Sequence, residues 1–282
     1  MSKPPHLYPV PGRRNSNDQA LERAAFALQM QRPGEAERLA SGVLRTNKSN
    51  TLAATILGRA LMAQNRADEA VVPLERAARR DGNSTTETLL AIALAGAGRH
   101  DQALDQLRRT IARQPPFPPA FLEFASQLAK LKRDDEAIAV LESGLVLTPN
   151  VVELQMRLAS LHLGRNDRPK ARAILEQALA AAPGRHDVLA ELARVTVLDG
   201  DYGSAVDAYR RALALRPDDA LTRANLGVCL LEMGRRDAGE ASIRAAARGR
   251  PEMIGRAIMS LATTAHGRFF MRPSAVTKFL SG

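Results

Sequence analysis

The chain has 282 residues, of which 45% are apolar but only 4% aromatic, with no tryptophan, one cysteine and a formal net charge of +10. A lone cysteine excludes an internal disulfide, and no uninterrupted apolar run reaches the length a membrane-spanning helix needs. No run of β-branched residues points to a sheet.

Residues 1–16 are rich in proline, carry Lys3, Arg13 and Arg14 without an acid, and lack the apolar core of an export signal. They are expected to form a disordered basic arm, and the chain as a whole a soluble, cytoplasmic protein. From residue 17 the sequence repeats itself. Prolines 115, 149, 183, 217 and 251 stand 34 residues apart, and Ala36, Ala70, Ala103, Ala137, Ala171, Ala205 and Gly239 follow the same period with one deletion. A fixed period of this size marks one supersecondary unit copied and stacked.

The copies run about 17–50, 51–83, 84–117, 118–151, 152–185, 186–219 and 220–253. Laid over one another, they show two further small columns. One reads Ala24, Gly58, Ala91, Ala125, Ala159, Ala193 and Gly227; the other Val43, Ala77, Thr110, Gly144, Ala178, Ala212 and Ala246. Large columns stand beside them: Leu57, Leu90, Phe124, Leu158, Leu192 and Leu226, answered by Leu74, Leu107, Leu141, Leu175, Tyr209 and Ile243. Small residues where helices cross let two backbones approach, and the large ones fill the space that remains. Each copy holds two apolar stripes at helical spacing, parted by a polar break such as Gly98-Arg99-His100-Asp101 or Gly234-Arg235-Arg236-Asp237. Each unit is therefore expected to be a helical hairpin, with the periodic proline at the turn after its second helix.

These columns and prolines resemble tetratricopeptide repeats over about residues 17–253. The resemblance implies an all-α, right-handed superhelical solenoid of about seven hairpins; beyond it, residues 254–282 read as a C-terminal capping helix and a basic aromatic tail. The first copy departs from the pattern, with Arg23 in the large column and Lys48 where the proline belongs, as suits a terminal repeat that meets water.

In the family, the first helix of each hairpin (helix A) lines the inner face. Carried onto this chain, that implies a largely apolar groove with Arg59, Met62, Ile92, Leu122, Met156, Leu163, Arg194 and Val228 among its walls, and Leu52, Thr88, Ala224 and Leu231 on the same register. About half of these positions are expected to pack between neighbouring A helices instead. The carboxylate clamp that some family members use for acidic C-terminal peptides needs Asn and Lys or Arg at set positions, and only Asn225 fits.

Most of the excess charge lies at the two ends, and the array between them is nearly balanced. No face repeats Lys and Arg together with aromatics, so nucleic acid is not the expected partner. In the tail, Phe269, Phe270 and Phe279 either fold back to seal the last repeat or form a docking segment for a partner. The five histidines are scattered, Cys229 lies in an apolar helical stretch, and no glycine-rich phosphate loop follows a strand.

The expectation is a non-catalytic scaffold without cofactor or metal that binds a peptide or amphipathic helix of a protein partner in the apolar groove. The alternative is an accessory subunit of an enzyme or secretion assembly that docks through its basic termini; direct binding of nucleic acid or of an anionic surface comes third. The partner's identity and the oligomeric state are not fixed by these residues.

Overall fold

The computed structural model describes residues 16–269 and 273–281; the arm expected over 1–16 lies outside the described residues except for its last position. The described residues form sixteen helices and no strand. They fall into two compact units that divide between residues 140 and 141.

The first unit holds α1 (Ser16–Gln29), α2 (Pro33–Thr46), α3 (Thr51–Ala63), α4 (Ala67–Asp81), α5 (Ser84–Gly96), α6 (His100–Ile111), α7 (Pro118–Lys130) and the start of α8 (Asp134–Leu147). The second holds the rest of α8, then α9 (Val152–Gly164), α10 (Arg168–Ala181), α11 (His186–Leu198), α12 (Tyr202–Leu215), α13 (Ala220–Glu232), α14 (Arg236–Ala247), α15 (Pro251–Thr263) and α16 (Pro273–Ser281). Odd-numbered helices up to α13 are the A helices of the repeats and even-numbered ones the B helices.

Every member of the three small columns is buried. The second large column is buried throughout, from Leu74 and Leu107 to Tyr209 and Ile243. Two glycines show why the columns must be small. A β-carbon on Gly58 would lie 2.5 Å from Leu74 Cγ, and one on Gly227 would lie 2.6 Å from Ile243 Cγ1 and 3.0 Å from the Gly239 carbonyl oxygen. Helices α3 and α4, and again α13 and α14, therefore touch almost backbone to side chain.

The turn from A to B is the same in every hairpin. Gln31, Asn65, Gly98, Lys132, Asn166, Gly200 and Gly234 all have φ between 57° and 77°. The following N–H reaches back five residues, as in Arg32 to Ala27 (2.8 Å) and Arg133 to Leu128 (2.9 Å), while the left-handed residue bonds to the carbonyl three before it. This paired closure satisfies the last carbonyls of helix A. Helices α10 and α12 start from Asp167 and Asp201, whose carboxylates accept backbone N–H bonds, and α4 and α8 follow an arginine paired with a glutamate one turn on, Arg66–Glu69 and Arg133–Glu136.

Apolar clusters run from hairpin to hairpin inside each unit. One joins α1, α2 and α3, another α3 to α6. In the second unit they join α9 to α11, α11 to α13, and α13 to α16. In that last cluster Val276 and Leu280 of α16 are buried beside Ile243 and Leu261.

Candidate partner-binding faces

In the first unit, Arg59 is exposed, and Met62, Ile92 and Leu122 are half-buried on α3, α5 and α7. Leu52, at the start of α3, is 56% exposed. These side chains belong to A helices that pack directly against one another, α3 on α5 and α5 on α7. In the second unit Met156, Leu163 and Val228 are half-buried and Arg194 is exposed. Arg194 is held by Glu191 at 2.7 Å, one turn back on the same helix. Met156 lies 3.9 Å from an Arg185 guanidinium nitrogen, and that arginine also bridges Glu153 (2.7 Å) and Asp187 (2.8 Å). The two hydrogen-bonded carboxylates raise the Arg185 pKa, those bonds outweighing the small cost of burial.

Three positions of the expected register do not face outward. Thr88, Ala224 and Leu231 are buried, Thr88 with its hydroxyl bonded to the Ser84 carbonyl and Leu231 in the cluster shared with α14 to α16. Register fixes which way a side chain leaves its helix; the size of its neighbours decides whether it reaches the surface.

Two apolar side chains that the register did not single out are exposed in the first hairpin: Phe26 on α1 at 59%, and Met30 just past the end of that helix at 51%. Phe26 stands in line with Ala60, Ala93, Gln127, Leu161, Val195 and Cys229, all buried. Among these, Ala60, Ala93, Val195 and Cys229 belong to clusters built with the preceding hairpin. No hairpin precedes α1 among the described residues, and among them the first member of the column is left uncovered.

The tail brings charge and apolar surface together. Glu240 on α14 is 4% exposed and is reached by Arg236 (3.1 Å), Arg244 (3.9 Å) and Arg268 (3.1 Å). The Phe279 ring, on α16, lies 4.8 Å from the Arg244 guanidinium and 5.0 Å from that of Arg268. Phe269 is 73% exposed, and Phe270 lies outside the described residues.

Reactive groups are engaged in structure. Cys229 is fully buried, and burial pushes its thiol up to about 12. His162 is buried with Nδ1 3.5 Å from Asp167; His186 Nε2 is 3.1 Å from Asp219, and His266 Nδ1 is 3.0 Å from the Leu231 carbonyl oxygen. His6 lies outside the described residues. Among the described residues no cluster of His, Cys, Asp and Glu has the makings of a metal site, and no helix is long and apolar enough to cross a membrane.

Comparison with known proteins places this geometry. A 167-residue stretch is 31% identical to cellulose synthase operon protein C of Xanthomonas axonopodis pv. citri (strain 306), covering 54% of this chain and 11% of that protein. A 113-residue stretch is 29% identical to the protein of the same name in Pseudomonas fluorescens (strain SBW25), covering 40% and 9%. The chain thus spans only about a tenth of the length of these relatives. Among solved structures, pilF of Pseudomonas aeruginosa superposes with a TM-score of 0.55 at 16% identity, covering 71% of this chain and 92% of the other. The human IFIT1 dimer with m7Gppp-AAAA does so with 0.59 at 15%, covering 90% and 65%; likeness at this level concerns the fold alone. Family profiles described as tetratricopeptide repeat match residues 18–85, 88–151, 156–220 and 197–252. With nearly every hairpin matched, the chain belongs to the tetratricopeptide repeat family.

Proposed function

We propose that this protein-interaction scaffold takes a peptide or amphipathic helix of a protein partner against the A-helix side chains of its hairpins. The observation that carries the reading is the half-buried state of Met62, Ile92 and Leu122 in the first unit and of Met156, Leu163 and Val228 in the second. Such side chains are held in place by packing yet keep apolar surface to bury against a ligand, which is the usual makeup of a helix- or peptide-accepting face. The buried, protonated Cys229 thiol and the histidines paired within the fold support a non-catalytic role.

The test is a pull-down from the native cell, identification of the bound protein, and titration of that purified partner against variants. Ile92→Asp with Leu122→Asp is expected to abolish binding while the far-ultraviolet circular dichroism stays that of the parent. Full binding by a folded double variant overturns the proposal.

A second reading, an accessory component beside an enzyme or secretion assembly, is supported by the stretch that matches cellulose synthase operon protein C. It expects binding that weakens steeply with salt. On this reading the C-terminal contact would not use Arg244 or Arg268, which are engaged with Glu240 and Phe279.

A further inference from the structure

The near-neutral charge of the array conceals a local segregation. A concavity of about 390 Å³ lies between the α2–α3 turn and the C-terminal half of α4, and Lys48, Arg76, Arg79 and Arg80 all line it, with Ser49 and Thr51 at its side. No carboxylate lines it. Lys48 stands where five later units carry proline, so the first inter-hairpin turn has a positive charge at a position that is uncharged in those five.

The neighbouring acids are otherwise engaged. Arg79 pairs with Glu75 one turn back on α4, at 2.6 Å. Asp81 accepts the Asn83 N–H at 3.1 Å and the Thr86 hydroxyl at 3.3 Å, and is directed to α5. Glu37 and Glu69 are both taken by Arg66. Lys48, Arg76 and Arg80 have no carboxylate within ion-pair distance among the described residues. The α4 dipole favours cations in its last turn, which accounts for Arg79 and Arg80 by themselves. It does not account for Arg76, a turn earlier, or for Lys48, which comes from another element of the chain. Lys48, Arg76 and Arg80 around one small concavity, beside an Arg79 already paired with Glu75, make a standing attraction for an anion.

We propose that this concavity docks an acidic segment of a protein partner, its carboxylates falling on Arg76, Arg80 and Lys48. The proposal rests on the scaffold reading above and adds a second contact surface to it. Arginine forks match carboxylates in a two-point geometry. The cations are spread along α4 and across to the turn, as an extended run of carboxylates requires and a single small anion does not. No aromatic ring lines the concavity, so nucleic acid would find no stacking platform.

The experiment is fluorescence anisotropy of the full chain with fluorescein-labelled hexaglutamate at 50 and 150 mM salt. Arg76→Gln with Arg80→Gln is compared with a charge-matched control, Arg210→Gln with Arg211→Gln, on exposed positions of α12. The concavity pair is expected to weaken binding about tenfold or more and the control less than twofold, with circular dichroism unchanged in both. Equal losses in the two pairs, or none in the first, overturn the proposal. So does a dT12 oligonucleotide that binds more tightly than hexaglutamate and is lost through the same two arginines. Ile92→Asp with Leu122→Asp is expected to leave hexaglutamate binding within twofold of the parent, so a failure of the A-helix reading is seen separately from a failure of this one.

Discussion

Arg268, beyond the end of α15, donates through Nε to Oε1 of Glu240 on α14 at 3.1 Å, and the carboxylate that receives it is buried. Arg236 donates to the same oxygen, and Phe279 of α16 sits against both Arg244 and Arg268. One carboxylate thus ties the tail to the last hairpin, beside the apolar seal made by Val276 and Leu280. Glu240→Ala would leave three guanidinium groups around an uncompensated site. Because the arginines keep part of their hydration, the expected loss is about 2 kcal/mol in thermal or urea denaturation, within the range for charged hydrogen bonds. Limited proteolysis between residues 264 and 272 should quicken in parallel. Unchanged stability and unchanged cleavage would remove the tail from the role of a cap.

The packing columns were legible in the sequence because Ala and Gly recur at fixed period wherever two helices cross, and each of those positions is buried. The buried acids were not. Glu87 on α5 and Glu240 on α14 read as ordinary solvated helix positions, yet each is covered by an arginine 26 or 28 residues further along the chain. Composition and register carry no record of such a partner. The A-helix face was legible in direction only: Ile92 and Leu122 keep exposed surface, whereas Thr88 and Leu231 on the same register are covered by neighbours. The cationic concavity escaped a tally by segment, since its charges come from residue 48 and residues 76–80 and are averaged with acids that face elsewhere.

The A-to-B turns predict stabilising substitutions. Gly98, Gly200 and Gly234 adopt the left-handed conformation freely, but Gln31 (φ 57°) and Lys132 (φ 62°) adopt it at a cost. For an L-residue that conformation costs roughly 1–2 kcal/mol, part of which glycine returns through its freer unfolded chain. Gln31→Gly and Lys132→Gly should each raise stability by about 0.5–1 kcal/mol, and Gly98→Ala should lower it by about 1 kcal/mol. Urea denaturation at matched concentration reads all three; destabilisation by Lys132→Gly would contradict the account.

Three helical glycines should respond differently to alanine. At Gly58 the new methyl group meets the Leu74 side chain, which can shift, and a loss of about 1–2 kcal/mol is expected. At Gly227 it meets both Ile243 and the Gly239 carbonyl, and backbone cannot move aside, so the loss should be about 3 kcal/mol or more. Gly255, within α15, has nothing within 4 Å of a built β-carbon, and Gly255→Ala should stabilise by about 0.5–1 kcal/mol through helix propensity. The order of the three melting temperatures is the readout, and Gly227→Ala melting above Gly58→Ala would sink the explanation.

Asp219 links acid sensitivity to a helix cap. Its carboxylate accepts the Thr222 N–H at 3.1 Å and the Thr222 hydroxyl at 2.8 Å at the start of α13, and faces His186 Nε2 of α11 at 3.1 Å. Burial pushes its pKa up, but the bonds from Thr222, joined by His186, outweigh that and hold it below the usual aspartate value. A carboxylate depressed in the folded state contributes stability that is full above its unfolded pKa of about 3.9 and disappears as pH falls through the lower folded value. At pH 7, Asp219→Ala should therefore cost about 1 kcal/mol, as loss of an N-cap usually does. Between pH 4 and pH 2 the gap between variant and parent should narrow, because the parent's own carboxylate becomes protonated and loses its advantage as an acceptor. Asp219→Asn should keep most of the cap at neutral pH and show a flatter acid limb than the parent. Urea titrations of the three proteins at pH 7, 4 and 2 decide it: a penalty for Asp219→Ala that holds constant or grows on acidification would mean that the neutral contacts of the side chain, and not its charge, secure the start of α13.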